Sequence, residues 1–199
     1  MKTLFVTLTM LALAVTAFAY PGPDSMGMYL DADASGYPTL TYQTAAPFES
    51  VTLHLVISNP SLGSVSGWEA RIETVGTPVA PAWALSAGLD VDADPNNFQV
   101  GIGESPLALT PNGNGNVLVA SWTGFVSGTT DEIQFLVMGA PGSASFPDSP
   151  GYAGSTAGEL HTLVSSTGGP TFPVFCINTD CAVVANEDMT FTNVKSLYR

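Results

Sequence analysis

Val51-Thr52-Leu53-His54-Leu55-Val56-Ile57-Ser58 decides the fold class. Val51, Leu53, Leu55 and Ile57 share one side of an extended chain, the period-two pattern of a strand with one buried face. Asn59-Pro60 ends the run. A second clear alternation follows in Val65-Ser66-Gly67-Trp68-Glu69-Ala70-Arg71-Ile72-Glu73-Thr74, where Trp68, Ala70 and Ile72 oppose Glu69, Arg71 and Glu73. A one-residue slip would bury three charges, so the register of this strand is firmly specified.

Further strands are expected at Met26 to Leu30, Thr39 to Gln43, Phe98 to Ile102, Asn116 to Val126, Glu132 to Met138, Glu159 to Ser165 and Thr171 to Ile177. In the strand from Asn116, Trp122 has the opposite parity to Val117, Val119 and Ser121, which leaves its face open. Asn112-Gly113-Asn114-Gly115-Asn116 is a turn signal, because Asn and Gly tolerate positive φ. Pro141 to Ser155 reads as one long loop. The 20 glycines and 15 prolines are spread along the chain. Together these features predict an all-β, two-sheet sandwich of jelly-roll or immunoglobulin-like type with about 8 to 10 strands. Phe191, Val194, Leu197 and Tyr198 are spaced for a short helical turn near the end of the chain, with Thr190 or Thr192 as cap.

The first residues read differently. Lys2 precedes an apolar run from Leu4 to Val15, and Ala17-Phe18-Ala19 is a small-x-small cleavage site. Residues 1–19 are therefore expected to be a removable export signal and 20–199 a single domain, secreted or periplasmic. The apolar run is shorter than the roughly 20 residues a membrane span needs. In such a compartment Cys176 and Cys181, the two cysteines of the chain, are expected to form a disulfide. The ring is small, so the chain-entropy account gives it only about 2 kcal/mol.

The formal net charge is -13, from 17 acids against 4 bases. Such a surface repels phosphate backbones and anionic headgroups, which argues against nucleic acid as a partner. Two acidic runs have calcium-like oxygen spacing. In Asp31-x-Asp33-x-Ser35-Gly36 the twelfth position is Tyr42, so the bidentate carboxylate is missing. The denser run is Asp90-x-Asp92-x-Asp94 with Asn96 and Asn97; Asp90, Asp92, Asp94 and Asn96 are the candidate ligands, and an exposed turn is the competing reading.

Trp68, Trp83 and Trp122 would either fill the core or form a sugar-stacking platform. Catalytic signatures are sparse: the chain has no Gly-x-Ser-x-Gly elbow, no His-Glu-x-x-His and no phosphate loop. His54 and His161 are the two imidazoles, and Glu69 with Glu104 is a conceivable carboxylate pair. No enzyme is expected.

Val51 to Asn59 resembles the early strand of cohesin-type modules, and Val65 to Ile72 is similar to their next strand. Val117 to Val126 followed by Asp131-Glu132-Ile133-Gln134-Phe135-Leu136-Val137 looks like their later pair. The resemblance spans roughly residues 25 to 180 at the level of strand pattern. It implies a nine-stranded jelly-roll and a non-catalytic role in protein binding or extracellular assembly. A carbohydrate-binding module, assisted by calcium, is the alternative. The partner is accordingly a protein or a polysaccharide at the cell exterior.

Overall fold

The computed structural model describes residues 22–34, 42–179 and 181. The expected leader, the residues Thr39 to Thr41, Ser35 and Gly36, and the helical turn over 190–198 lie outside these residues. Every regular element described is a strand. No helix among the described residues is long and apolar enough to cross a membrane.

Among the described residues, thirteen strands form two packed sheets. Seven have five residues or more: β1 (Ser25–Tyr29), β3 (Ser50–Ser58), β4 (Gly67–Val75), β5 (Val79–Leu85), β7 (Asn97–Gly101), β8 (Asn116–Phe125) and β9 (Ile133–Met138). Six are short: β2 (Tyr42–Gln43), β6 (Leu89–Asp90), β10 (Gly151–Ala153), β11 (Leu160–Thr162), β12 (Val164–Ser165) and β13 (Phe175–Ile177). The first sheet runs β12-β1-β3-β8-β5 and the second β11-β10-β4-β9-β13-β2, with β7 and then β6 added on β4. The expected two-sheet all-β sandwich is thus the observed architecture.

A bulge settles the parity of Trp122. Leu55 lies opposite Ala120 but Val56 opposite Leu118, so Val119 is an extra residue on β8. Val117 and Val119 on one side of the bulge, and Ala120 and Trp122 on the other, all reach the core. On β3 the alternation Val51, Leu53, Leu55, Ile57 continues unbroken into the same core.

Aromatic rings join the two sheets. Trp122 of the first sheet meets Phe135 of the second edge-on at 4.8 Å, and Trp83 meets Phe98 in the same way at 5.1 Å. Trp68 stacks on Phe98 at 5.2 Å within the second sheet. Such ring pairs add about 0.5–1.5 kcal/mol each beyond the area they bury.

One edge of β4 is served by two strands laid end to end. β7 lies against Gly67 to Arg71 on one side. On the other, β9 covers Val75 to Arg71 and β10 covers Glu69 to Gly67. Met138 is opposite Arg71 and Gly151 is opposite Glu69, so β10 resumes the ladder where β9 leaves it. Residues 139–150 loop out between them. The Ser143 hydroxyl donates to Glu69 Oε2 at 2.6 Å and accepts the Phe146 N–H at 2.9 Å. Phe146 is buried outside the main core, its ring lying where a side chain on Gly151 would have to go.

Cys176 and Cys181 are disulfide-bonded, with Cα atoms 5.6 Å apart. Converting both to alanine is expected to lower unfolding free energy by about 2 kcal/mol in denaturant titration. A loss below about 0.5 kcal/mol would show that the ring adds no constraint beyond β13's own pairing.

Candidate functional site

The residues singled out from the sequence fall into separate places. Trp68 and Trp122 are fully buried and Trp83 is partly buried against the core, so the three do not form an exposed platform. His54 Nδ1 is 2.9 Å from the Ser121 hydroxyl on the neighbouring strand, and Thr52 meets Thr123 at 3.2 Å one row along. These pairs stitch β3 to β8 on the outer face of the first sheet. Glu69 is engaged by Ser143, whereas Glu104 is exposed in the turn after β7.

The Asp90 run folds as consecutive Asx turns. Asp90 Oδ1 accepts the Asp92 N–H (3.1 Å) and the Gln99 N–H (2.9 Å). Asp92 Oδ1 accepts the Asp94 N–H (2.8 Å) and Asp94 Oδ1 the Asn96 N–H (2.9 Å). Each carboxylate is thereby used to bend its own chain. Near the other acidic run, Asn112 Nδ2 donates to Asp33 Oδ1 at 3.1 Å and Asn116 Nδ2 to the Asp33 carbonyl at 2.7 Å. Among the described residues no group of three or more His, Cys, Asp or Glu side chains is placed to hold a metal ion.

The structure also assembles a polar cluster that spacing did not reveal. Asp24, just before β1, is 8% exposed. Its Oδ1 accepts the Ser61 N–H (2.7 Å) and the Tyr152 hydroxyl (2.8 Å), and its Oδ2 accepts the Ser61 hydroxyl. Tyr152, on β10, is fully buried and accepts the Leu62 N–H at 3.0 Å. His161 Nε2, on β11, lies 3.7 Å from Asp24 Oδ2, while its Nδ1 is 2.8 Å from the Thr162 carbonyl. The cluster therefore ties β1 and the segment after β3, in the first sheet, to β10 and β11 in the second.

Charge and burial act against each other here. Burial raises the pKa of Asp24, but the hydroxyl and N–H of Ser61, the Tyr152 hydroxyl and nearby His161 together outweigh it and hold the carboxyl below its usual value. Burial first, and then the Asp24 carboxylate, push the Tyr152 hydroxyl well above its ordinary pKa. Activating a serine places the imidazole between hydroxyl and carboxylate. Here the carboxylate stands between Ser61 and His161, an arrangement suited to locking segments together. Three segments distant in sequence meet in it, and of its four side chains only the His161 imidazole stood out in the sequence.

The exposed surface offers a different chemistry. Leu89, Val91 and Leu107 are 70%, 71% and 68% exposed. Leu89 lies opposite Gly101 on the β6–β7 ladder, the Val91 N–H bonds the Gln99 carbonyl at 3.1 Å, and the Leu107 side chain borders Gly103. Asp90, Asp92, Asp94 and Glu104 are interleaved with them. Arg71 is the only Lys or Arg among the described residues, and it is held by Glu73 (3.4 Å) and Asn97 (3.3 Å). The result is an apolar surface with an acidic rim beside an edge strand.

No family model, no curated protein and no solved structure matches this chain. The class it defines is therefore stated from its own geometry: a disulfide-bonded, two-sheet β-sandwich with an acidic exterior.

Proposed function

We propose that this protein is an exported, non-catalytic β-sandwich module that binds a protein partner at the cell exterior. The observation that carries the reading is the exposure of Leu89, Val91 and Leu107 among four carboxylates, while Trp68 and Trp122 are turned inward. Apolar side chains left in water and ringed by charge are the composition of a recognition patch. The partner that complements it has an apolar centre and a rim of Lys and Arg. The disulfide fits an oxidising compartment, and the leader pattern of residues 1–19 supplies the route there. The strand-level similarity to cohesin-type modules points towards the same role.

The test is affinity capture from culture supernatant with the mature chain, in parallel with a Leu89→Asp/Val91→Asp double variant. One discrete protein should be retained, with retention at least tenfold lower for the variant and falling as salt rises. Recovery of polysaccharide with no protein, or a protein held equally by the variant, would overturn the proposal.

A further inference from the structure

The free edge of the first sheet is built differently from the rest of the molecule. β5 ends the order β12-β1-β3-β8-β5, and among the described residues β8 is its one strand partner. The Ser86 N–H bonds the Val119 carbonyl at 3.0 Å, which carries the β5–β8 register one residue past Leu85. Main-chain groups alternate in direction along an antiparallel strand. Ala82, Ala84 and Ser86 therefore turn theirs towards β8, while Trp83 and Leu85 project their N–H and carbonyl groups from the open side. Such a row is a template for a further strand.

Only half of this edge is protected. An extra residue on β5 shifts the register between Val79 and Ala82, Ala80 has φ of 48°, and Pro81 lacks an N–H. A bulge and a proline both blunt an edge. Past Pro81 the register runs without interruption through Ala82, Trp83, Ala84 and Leu85. Ala82 and Ala84 are exposed, whereas Trp83 and Leu85 pack partly buried against the core.

Charge selects the occupant. The formal net charge of the chain is -13, so two copies repel wherever their carboxylates face each other. Yet β1, β3, β5, β8 and β12, the whole first sheet, contain no Asp, Glu, Lys or Arg. The stretch from Gly76 to Leu89 that holds β5 contains none either. A basic partner gains nothing at this edge. A second copy meets it without apposing like charges.

We propose that β5 pairs with β5 of a second copy of this chain, antiparallel across a two-fold axis at Ala84, joining the two first sheets into one. Centring on Ala84 sets Trp83 opposite Leu85 of the second copy and Leu85 opposite its Trp83, so each pair exchanges both of its main-chain bonds. Ala84 then faces its own counterpart at a non-hydrogen-bonded position, where Cα atoms approach to about 4.5 Å and a methyl group fits. On the core side, Trp83 and Leu85 of the other copy cover each other's remaining exposed surface. The pairing is isologous and uses the open stretch of both edges, so it closes at a dimer.

Salt screens the mutual repulsion of the copies. In sedimentation velocity the dimer fraction of the mature chain should rise with protein concentration, and at least threefold between roughly 0.02 and 0.5 M salt. Salt acts on partner capture in the opposite direction, which keeps the two associations distinguishable. Ala84→Asp, which sets two carboxylates across the axis, should weaken self-association at least tenfold. Thr52→Asp, on the same face two strands away, should change it less than twofold. Register is read from added cysteines. Ala84→Cys should form a disulfide between the two copies at position 84, since about 4.5 Å lies within the span of such a bond. Its yield should exceed at least tenfold that of Ala82→Cys, whose two copies stand roughly 13 Å apart or more. A chain monomeric at every concentration and salt, association left intact by Ala84→Asp or lost equally in Thr52→Asp, or equal linkage in the two cysteine variants refutes the pairing.

Discussion

Replacing Asp24 with alanine is expected to lower the free energy of unfolding by about 4 kcal/mol, read from denaturant titration of the buried tryptophan fluorescence. The carboxylate receives the Ser61 N–H and hydroxyl and the Tyr152 hydroxyl. Its removal strands these donors where little water can reach them, and hydrogen bonds to a charged group are the costlier ones to lose. Tyr152→Phe is expected to cost about 2 kcal/mol, because the Leu62 N–H and Asp24 each lose a partner.

The pH dependence has a definite sign. The Asp24 pKa is lowered by folding, so its contribution is complete above about pH 4, the unfolded value, and is lost as pH falls through the lower folded value. The stability gap between wild type and Asp24→Asn should therefore shrink on acidification below about pH 4. Tyr152 behaves oppositely. Its hydroxyl keeps its proton longer when folded, so stability declines as pH rises past about 10, and Tyr152→Phe should remove that part of the decline. A wild-type-minus-Asp24→Asn gap that stays constant from pH 7 to pH 2 would contradict the assignment.

Asn178→Ala is expected to cost about 3 kcal/mol. Its side chain spans three segments, accepting from buried Ala45 and donating to Gly128 and Asp131. Its own φ of 58° is one asparagine tolerates better than alanine. Two companions separate these effects. Asn178→Gly keeps the backbone geometry and loses only the hydrogen bonds, so it should cost about 1 kcal/mol less than alanine. Asn178→Asp keeps the acceptor for Ala45 but turns a negative oxygen towards two carbonyls, and should resemble alanine near neutral pH. Equal stability of wild type and Asn178→Ala would mean that the disulfide alone holds this corner.

The longer strands were legible because one face of each is buried. Val51 to Ile57, Trp68 to Ile72 and Ile133 to Val137 all alternate as a half-buried strand must, and each lies within a residue or two of its expected bounds. β5 was not legible. Pro78 and Pro81 flank and enter it, and its exposed edge position removes the apolar alternation that would have marked it. β10 was hidden inside a Gly- and Pro-rich stretch because three residues carry no period. The bulge at Val119 was visible only as a conflict of parity, which the sequence could pose but not resolve.

The candidate sites divide along the same line. Cys176 and Cys181 are five positions apart and could be paired by inspection. The Asp90 run was visible as spacing, but its Asx turns depend on backbone conformation. Asp24, Ser61, Tyr152 and His161 are brought together only by the crossing from one sheet to the other, and no local pattern encodes that meeting.

The end-to-end placement of β9 and β10 along β4 has a consequence for how this protein tolerates change. Because the ladder stops at Met138 and restarts at Gly151 on the same edge, the intervening twelve residues are not needed to set the alignment of either piece. Exchanging or enlarging them would alter what the molecule displays on one side while leaving its architecture in place, provided the Phe146 plug over Gly151 is kept. Here a foreign peptide or label could be spliced in, and here variation among descendants of this chain would be least costly.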